Sequence, residues 1–239
     1  GQLSANLRYA TEGRYAAEAG VQWAFWGLDI PADQIPWLAD GSIYEMPLAD
    51  MLIQVAVVDE NGKIGLNVAT GAMLKPLLIA AEVDDARIDS LVDAILDWRD
   101  SDDLTRLNGA EDEDYLQAGL EWEAKDAPFE TVLELRQVLG MDEEVFSAIR
   151  DSVTVHSGKQ VVNPLVAPKL VLMALSDMDE GQAEQYIEDR RRLHNEGEKL
   201  SHELLTSSFF STSMRGVNYT IHTQAVINPQ TRSGMAVVV

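Results

Sequence analysis

Apolar residues recur at helical spacing over the first part of the chain. They lie three or four positions apart, or at sums of those spacings, and the stripe consists of Leu3, Leu7, Ala10, Ala17, Val21 and Phe25. Such spacing places all of them on one face of an α-helix. Pro31 and Pro36 end this helix, because proline breaks the hydrogen-bond ladder and restricts the residue before it. The pattern is already running at the first residue, so we expect the natural protein to continue upstream.

Strand patterns lie on both sides of a long helical block. The branched apolar run Met51–Val58 predicts a strand, and the turn residues Asn61-Gly62 predict that Ile64–Leu66 returns beside it as a hairpin. Helical periodicity then continues to about residue 205, with predicted helices at 72–81, 84–98, 129–139, 142–149, 167–175 and 182–202. Strand signals return at 209–214 and 219–227, with turns at 215–216 and 228–229.

This order of elements predicts an α+β fold in which a large helical domain interrupts a small sheet. The sheet then uses both ends of the chain. We place the first part of the core at 1–66, the inserted α-helical domain at 67–205 and the second part of the core at 206–239.

The composition excludes several classes of function but says little about the fold. The 239 residues include 40 Asp and Glu against 18 Lys and Arg, which gives a net charge of −22. A surface this acidic repels nucleic acid unless its basic residues are segregated. The absence of cysteine excludes thiol catalysis and thiolate metal sites. No run of eighteen apolar residues occurs, so the sequence predicts no membrane span.

A weak internal repeat lies within the helical block. Its copies run from Asn67 to Arg99 and from Asn163 to Arg190, each with a Leu-rich helix, a short acidic loop and a second helix. The pattern is similar to the helix-hairpin-helix of DNA-binding proteins, in which glycine amides approach a phosphate. Here the loops at 82–85 and 176–179 carry two aspartates each, which disfavours DNA. A helix-hairpin-helix DNA-binding protein remains the alternative function.

The sharpest chemical feature is the acidic segment from Asp97 to Tyr115, called the acidic loop below. It holds eight carboxylates against two arginines. Such crowding destabilises a folded loop unless a cation offsets the repulsion. Calcium accepts six to eight oxygen ligands in flexible loops, whereas zinc prefers His or Cys, and neither residue type occurs in this segment. The sequence therefore predicts a calcium site, with magnesium and a solvated acidic surface as alternatives.

The spacing does not match an EF-hand. With Asp100 as position one, Leu104 and Thr105 occupy positions that need an oxygen ligand and a glycine. An irregular oxygen-rich loop remains, in which Asn108-Gly109 makes a turn that folds Glu111 back toward Asp100. On this local argument Asp97, Asp103 and Asn108 are possible additional ligands.

No motif indicates an enzyme. GxSxG, HExxH, P-loop and GxGxxG patterns are absent, and the four histidines have no metal-like spacing. A calcium-dependent carboxylate hydrolase is kept as a third alternative, since paired carboxylates can act as general acid and base.

Several segments together resemble the minor pseudopilin K family of the type II secretion system. They are ILDWRDSDDLTRLNGAEDEDYL, APFETVLELRQVLGMDEEVF, VNPLVAPKLVLMAL with YIEDR, and the N-terminal RYATEGRYAAEAGVQWA. The Trp98-x-Asp100-x-Asp102 element and the Asn108–Asp112 element with Tyr115 are the most specific parts. The likeness covers almost the whole chain.

The resemblance implies a pilin-like core, with a long N-terminal helix on a small antiparallel sheet and an inserted helical domain. It implies a non-enzymatic subunit at the tip of a periplasmic pseudopilus that joins the minor pseudopilins I and J and supports the export of folded exoproteins. The membrane anchor is expected in the full-length inner-membrane protein. It also implies calcium ligation by Asp100, Asp102, Glu111 and Asp112. The helical stripe is then expected to pack partly on its own sheet and partly on partner helices.

Overall fold

The chain divides into two units. The computed structural model describes residues 2–30, 36–198, 207–213, 218–228 and 231–239, while the side chains at 2–10, 12, 227–228 and 231–233 fall outside that description. Gly1–Glu60, Asp189–Leu200 and Gly216–Val239 form one unit, called the sheet unit. Asn61–Glu188 and Ser201–Arg215 form the other, called the helical unit.

Helices and strands follow in a mixed order. The α-helices are α1 (Gln2–Leu28), α2 (Gly71–Ala80), α3 (Asp85–Arg99), α4 (Asp112–Gln117), α5 (Glu143–Ile149), α6 (Lys169–Leu175) and α7 (Glu180–Asn195). The strands are β1 (Asp40–Leu48), β2 (Met51–Asp59), β3 (Ile64–Gly65), β4 (Val153–Thr154), β5 (Tyr219–Asn228) and β6 (Thr231–Val238). Short 3₁₀ turns lie at Glu60–Gly62, Val132–Gln137 and Arg150–Ser152.

Four antiparallel strands form the sheet of the sheet unit, in the order β1-β2-β5-β6. The predictions at 51–58 and 219–227 are confirmed, as is a sheet shared by both ends of the chain. The predicted hairpin is wrong. Ile64 does not return beside β2 but pairs in parallel with Val153, because Asn61-Gly62 lies in a 3₁₀ turn and β5 takes the place beside β2.

Helix α1 packs on this sheet through small residues. Ala16, Ala24, Ile53 and Val55 belong to one buried cluster. A Cβ atom added to Gly20 would lie 3.0 Å from a methyl group of Ile53, so the small residues allow the helix to approach the strands closely. Full burial of an Ile or Val side chain contributes about 1.5–3 kcal/mol, so this packing stabilises the unit.

The predicted partner-binding stripe divides between two environments. Ala17 is fully buried, and Val21 packs against the sheet cluster, so both face the chain's own core. Phe25 is 42% exposed. The side chains of Leu3, Leu7 and Ala10 lie outside the described residues.

The end of α7 belongs to the sheet unit because of one buried carboxylate. Arg190 and Arg191 both reach Asp40 Oδ2, at 3.0 and 2.8 Å, and the side chain of Asp40 is fully buried. His194 Nε2 lies 2.7 Å from the backbone oxygen of Pro36. The boundary between the helical unit and the sheet unit therefore lies between Glu188 and Asp189, within α7. The boundary predicted from the sequence lies between residues 205 and 206.

The helical unit is held by contacts between distant segments. Asn67 forms two hydrogen bonds with the backbone of Phe129: its Nδ2 donates to the carbonyl at 2.9 Å, and its Oδ1 accepts from the amide at 2.7 Å. The guanidinium of Arg99 donates to the carbonyls of Leu66 and Ala69. Trp98 lies with its ring centroid 5.9 Å from that of Tyr115 in the core.

Several local predictions in this unit need correction. The segment predicted as a helix at 129–139 forms only the 3₁₀ turn Val132–Gln137, and α4 lies where a loop was expected. The strand predicted at 209–214 is reduced to a single bridge between Phe210 and Val162, with Met214 outside the described residues. Each copy of the predicted repeat contains a helix pair, α2–α3 and α6–α7. Its helix-hairpin-helix character stays a prediction. No helix in the described ranges is long and apolar enough to cross a bilayer.

Candidate metal site

The acidic loop begins with a carboxylate that the chain itself satisfies. Asp97, in the last turn of α3, is completely buried. Its Oδ2 accepts hydrogen bonds from the amides of Arg106 at 3.2 Å and Ala110 at 3.0 Å, and its Oδ1 accepts from the guanidinium of Arg106. Asp97, which the sequence predicted as a possible metal ligand, therefore stabilises the fold of the loop through these hydrogen bonds.

Arg106 is shared between two carboxylates. Its guanidinium also donates to Asp100 Oδ2. Partial burial would lower the pKa of Arg106, but the hydrogen bonds that its guanidinium donates to Asp100 and Asp97 outweigh this effect and raise that pKa. The other oxygen of Asp100, Oδ1, is buried and has no hydrogen-bond partner.

Four other predicted ligands face protein groups or solvent. Asp102 Oδ1 accepts from the amide of Leu104 at 3.1 Å, and Asp103 is exposed. The side-chain amide of Asn108 donates to Asp93. Asp112 Oδ1 accepts from the amide of Ala124 at 3.1 Å. The structure therefore does not bring all seven predicted residues to one point.

Glu111 is the best-placed of the predicted ligands. It is 6% exposed, and its Oε1 has no hydrogen-bond partner. Burial raises the pKa of Glu111 to about 7, with further contributions from the carboxylates of Asp97 and Asp126. A carboxylate in this position is stabilised if a cation is bound beside it.

Asp126 joins this group, although sequence reasoning missed it. Its Oδ1 is buried and without a partner, and its backbone has φ +51°. Burial and the carboxylates of Asp112 and Asp103 raise its pKa. A left-handed backbone at a residue other than glycine is uncommon and is kept only where the surroundings hold it. A lone Asp eleven residues beyond Tyr115 gives no sequence signal of its own.

Two anchors fix the segment that carries Asp126. Lys125 Nζ lies 2.6 Å from Glu134 Oε2, and Glu134 Oε1 accepts from the amide of Thr131 at 2.8 Å. The hydrogen bonds between Asn67 and Phe129 hold the segment three residues further on.

The donor set suits a hard cation. Asp100, Glu111 and Asp126 each leave one buried carboxylate oxygen without a hydrogen bond, and their charges repel one another. Within the described ranges, no three His, Asp or Glu side chains stand close enough together, as placed, to hold an ion. The chemistry of the donors nevertheless fits calcium. This ion is coordinated by carboxylate oxygens, and these three buried oxygens accept no hydrogen bond from the protein.

The acidic hairpin loops have a different role. Asp84 Oδ1 accepts from the amide of Ala86 at 3.0 Å, and Asp179 Oδ1 accepts from the amide of Gln182 at 2.9 Å. These carboxylates accept hydrogen bonds from backbone amides at the N-termini of the helices, which are the groups that would otherwise bind a phosphate. The geometry thus disfavours the DNA-binding alternative further.

Comparisons with known proteins agree on one family. Residues 55–158 match the model of type II secretion system protein K. The protein K of Dickeya chrysanthemi is 28% identical over 124 residues, and that of Pseudomonas aeruginosa is 28% identical over 150 residues. These matches cover 49% and 59% of this chain. The chain is therefore similar to type II secretion system protein K, most clearly over residues 55–158.

The match to the protein K family includes the whole candidate site. Residues 55–158 contain the acidic loop, Asp126 and both of its anchors. The chain spans 34% and 45% of the length of the two protein K relatives. A chain in the crystal structure of the GspK–GspI–GspJ complex from the type 2 secretion system of enterotoxigenic Escherichia coli shares the fold. It has a TM-score of 0.67 and 16% identity, and the match covers 100% of this chain and 93% of that one.

Proposed function

We propose that the chain is a minor pseudopilin that assembles with the minor pseudopilins I and J at the tip of the type II secretion pseudopilus. There it supports pseudopilus assembly and the export of folded proteins across the outer membrane. The observation that carries this proposal is the fold match over the full chain to a structure of a K–I–J complex. The proposal places the chain in the periplasm as part of an inner-membrane protein with no enzymatic activity.

The sheet unit supplies the pilin-like part of this role. A long helix packed on a four-stranded antiparallel sheet by small residues presents its other side to solvent, where Tyr15, Phe25 and Trp26 are exposed. Exposed aromatic side chains on one helix are typical of surfaces that bind partners.

Co-assembly tests the proposal. The purified chain is mixed with purified pseudopilins I and J, and the mixture is analysed by sedimentation velocity. We expect one species that contains all three proteins. Three independent species would contradict the proposal, as would regular incorporation of this subunit along the shaft of the pseudopilus in electron micrographs.

We further propose that the acidic loop binds calcium in a structural role. Asp100, Glu111 and Asp126 would hold the ion through their unpartnered oxygens, with Asp102, Asp103 and Asp112 close by in sequence. When bound, the ion supplies positive charge that offsets the repulsion among these carboxylates. The chain's own contribution is to bring two segments together, through Arg106 with Asp97 and through Lys125 with Glu134.

Calcium titration calorimetry tests the metal proposal. We expect Glu111→Gln to abolish calcium binding, because the amide keeps the shape of the side chain and removes its charge. Glu113→Gln is the matched control, because Glu113 lies two residues away and its side chain is exposed. This variant should bind calcium as the parent does. Equal binding by the parent and Glu111→Gln would contradict the site.

A further inference from the structure

The sheet of the sheet unit has two edges that differ in how they are protected. The strand order places β1 at one edge and β6 at the other. An edge strand offers unpaired backbone N–H and C=O groups, and proteins usually guard such an edge with proline, charge or a bulge.

Strand β1 carries these guards. Its register is irregular between Asp40 and Ile43, and Gly41 has φ +83°. Pro47 lacks an amide proton, and the exposed Glu45 places a charge on the strand. A second strand would meet distortion and charge along this edge.

Strand β6 has no proline, no charged residue and no register irregularity between Gly234 and Val239. Tyr219 and Val239 exchange both backbone hydrogen bonds, at 2.8 and 2.9 Å. Because hydrogen bonding alternates along an antiparallel pair, the backbone groups of Gly234, Ala236 and Val238 then face away from the sheet. In the ranges that the structure describes, no strand pairs with this outer side.

An apolar depression lies at the end of the same strand. It has a volume of about 520 Å³ and is lined by Phe25, Leu28, Asp29, Tyr219 and Val239. Phe25 and Val239 are 42% and 37% exposed. An added strand would place alternate side chains on this face, where the depression could receive an apolar one.

We propose that β6 is a docking edge for an extended, low-charge strand of the I–J pseudopilin pair. The outward backbone groups of Gly234, Ala236 and Val238 form the hydrogen bonds, and the Phe25 depression receives a side chain. A second copy of this chain is disfavoured as the occupant, because two chains would each bring a net charge of −22. The inference rests on the proposed assembly with I and J and adds the surface that mediates it.

Variants at Ala236 test the edge. Ala236→Pro removes an amide that faces solvent and leaves the ladder to β5 intact, and Ala236→Lys adds the charge that guards natural edges. Ile43→Lys is the matched control, because Ile43 lies in the same row of the sheet on β1 and is 64% exposed. We expect both Ala236 variants to bind the purified I–J pair at least about tenfold more weakly than Ile43→Lys and the parent.

Hydrogen exchange gives the second readout. The amides of Gly234, Ala236 and Val238 should exchange quickly in the free chain and slowly in the complex. Parent-like binding by both Ala236 variants would overturn the docking edge and leave the assembly proposal intact. Protection of these amides in the free chain would also overturn the edge. Failure of the parent to bind the I–J pair would overturn the assembly proposal, and the edge with it.

Discussion

Asp97 and Gly109 lie so close that residue 109 has no room for a side chain. A Cβ atom added to Gly109 would lie 1.8 Å from Asp97 Oδ2. The buried carboxylate therefore accepts its hydrogen bonds from Arg106 and Ala110 only because a glycine stands between them in the loop.

Gly109→Ala should destabilise the helical unit. The new methyl group must displace Asp97 or the backbone of the loop, at a cost of about 1–3 kcal/mol. Urea unfolding measures the change. Gly158→Ala is the control, because a Cβ atom there meets nothing within 4 Å, and equal stability of the two variants would contradict the role of Gly109.

The ion pair of Asp40 should make the stability of the sheet unit depend on pH. Burial alone would raise the pKa of Asp40, but Arg190, Ser42 and Arg191 outweigh it and hold that pKa below the ordinary value of an aspartate. Since the pKa is lowered on folding, the stabilisation is complete above the unfolded pKa and is lost as the pH falls through the folded value. Asp40→Asn should therefore cost about 3 kcal/mol at pH 7, because it removes the carboxylate charge that pairs with the buried Arg190. The difference from the parent should shrink below about pH 4.

Unfolding curves at several pH values measure this difference. Asp50→Asn, at an exposed aspartate, should unfold like the parent throughout. A difference between parent and Asp40→Asn that stayed constant down to pH 3 would show that the ion pair is not its cause.

Asn67 should support both the fold and the candidate metal site. Asn67→Ala leaves the amide and carbonyl of Phe129 without partners, which costs about 1–3 kcal/mol for each group that stays buried. Because Asp126 lies three residues before Phe129, calcium affinity should fall as well. Urea unfolding and calcium titration test the two effects, with the exposed Asn195→Ala as control. Loss of stability without any change in calcium affinity would separate Asn67 from the site.

The sequence predicted those helices and strands whose own residues show a helical or strand pattern. Met51–Val58 is rich in branched apolar residues, and the apolar stripe of α1 has helical spacing, so both elements were predicted. Strand β1 was missed, because it contains Gly41 and Pro47 and has an irregular register. The partner of β2 could not be read locally either, since His222 pairs with Ala56 from a distant part of the chain.

The candidate site was predicted in location but not in composition. Charge density alone pointed to the acidic loop, and Glu111 was among its predicted ligands. Sequence could not show that Arg106 neutralises Asp97, nor that Asp126 returns to the loop. The first depends on how the loop folds around the end of α3, and the second on how the segment after α4 is anchored by Glu134 and Asn67.

Thermal unfolding in excess calcium and in excess chelator is the most direct test of the metal site. At one hundred times the dissociation constant, a bound ion adds about 2.7 kcal/mol, which corresponds to a rise in Tm of roughly 5–10 °C for a chain of this size. We expect that rise with calcium, a smaller one with magnesium, and none for Glu111→Gln. Identical melting curves for the parent in calcium and in chelator would contradict the account and leave the acidic loop as a solvated surface.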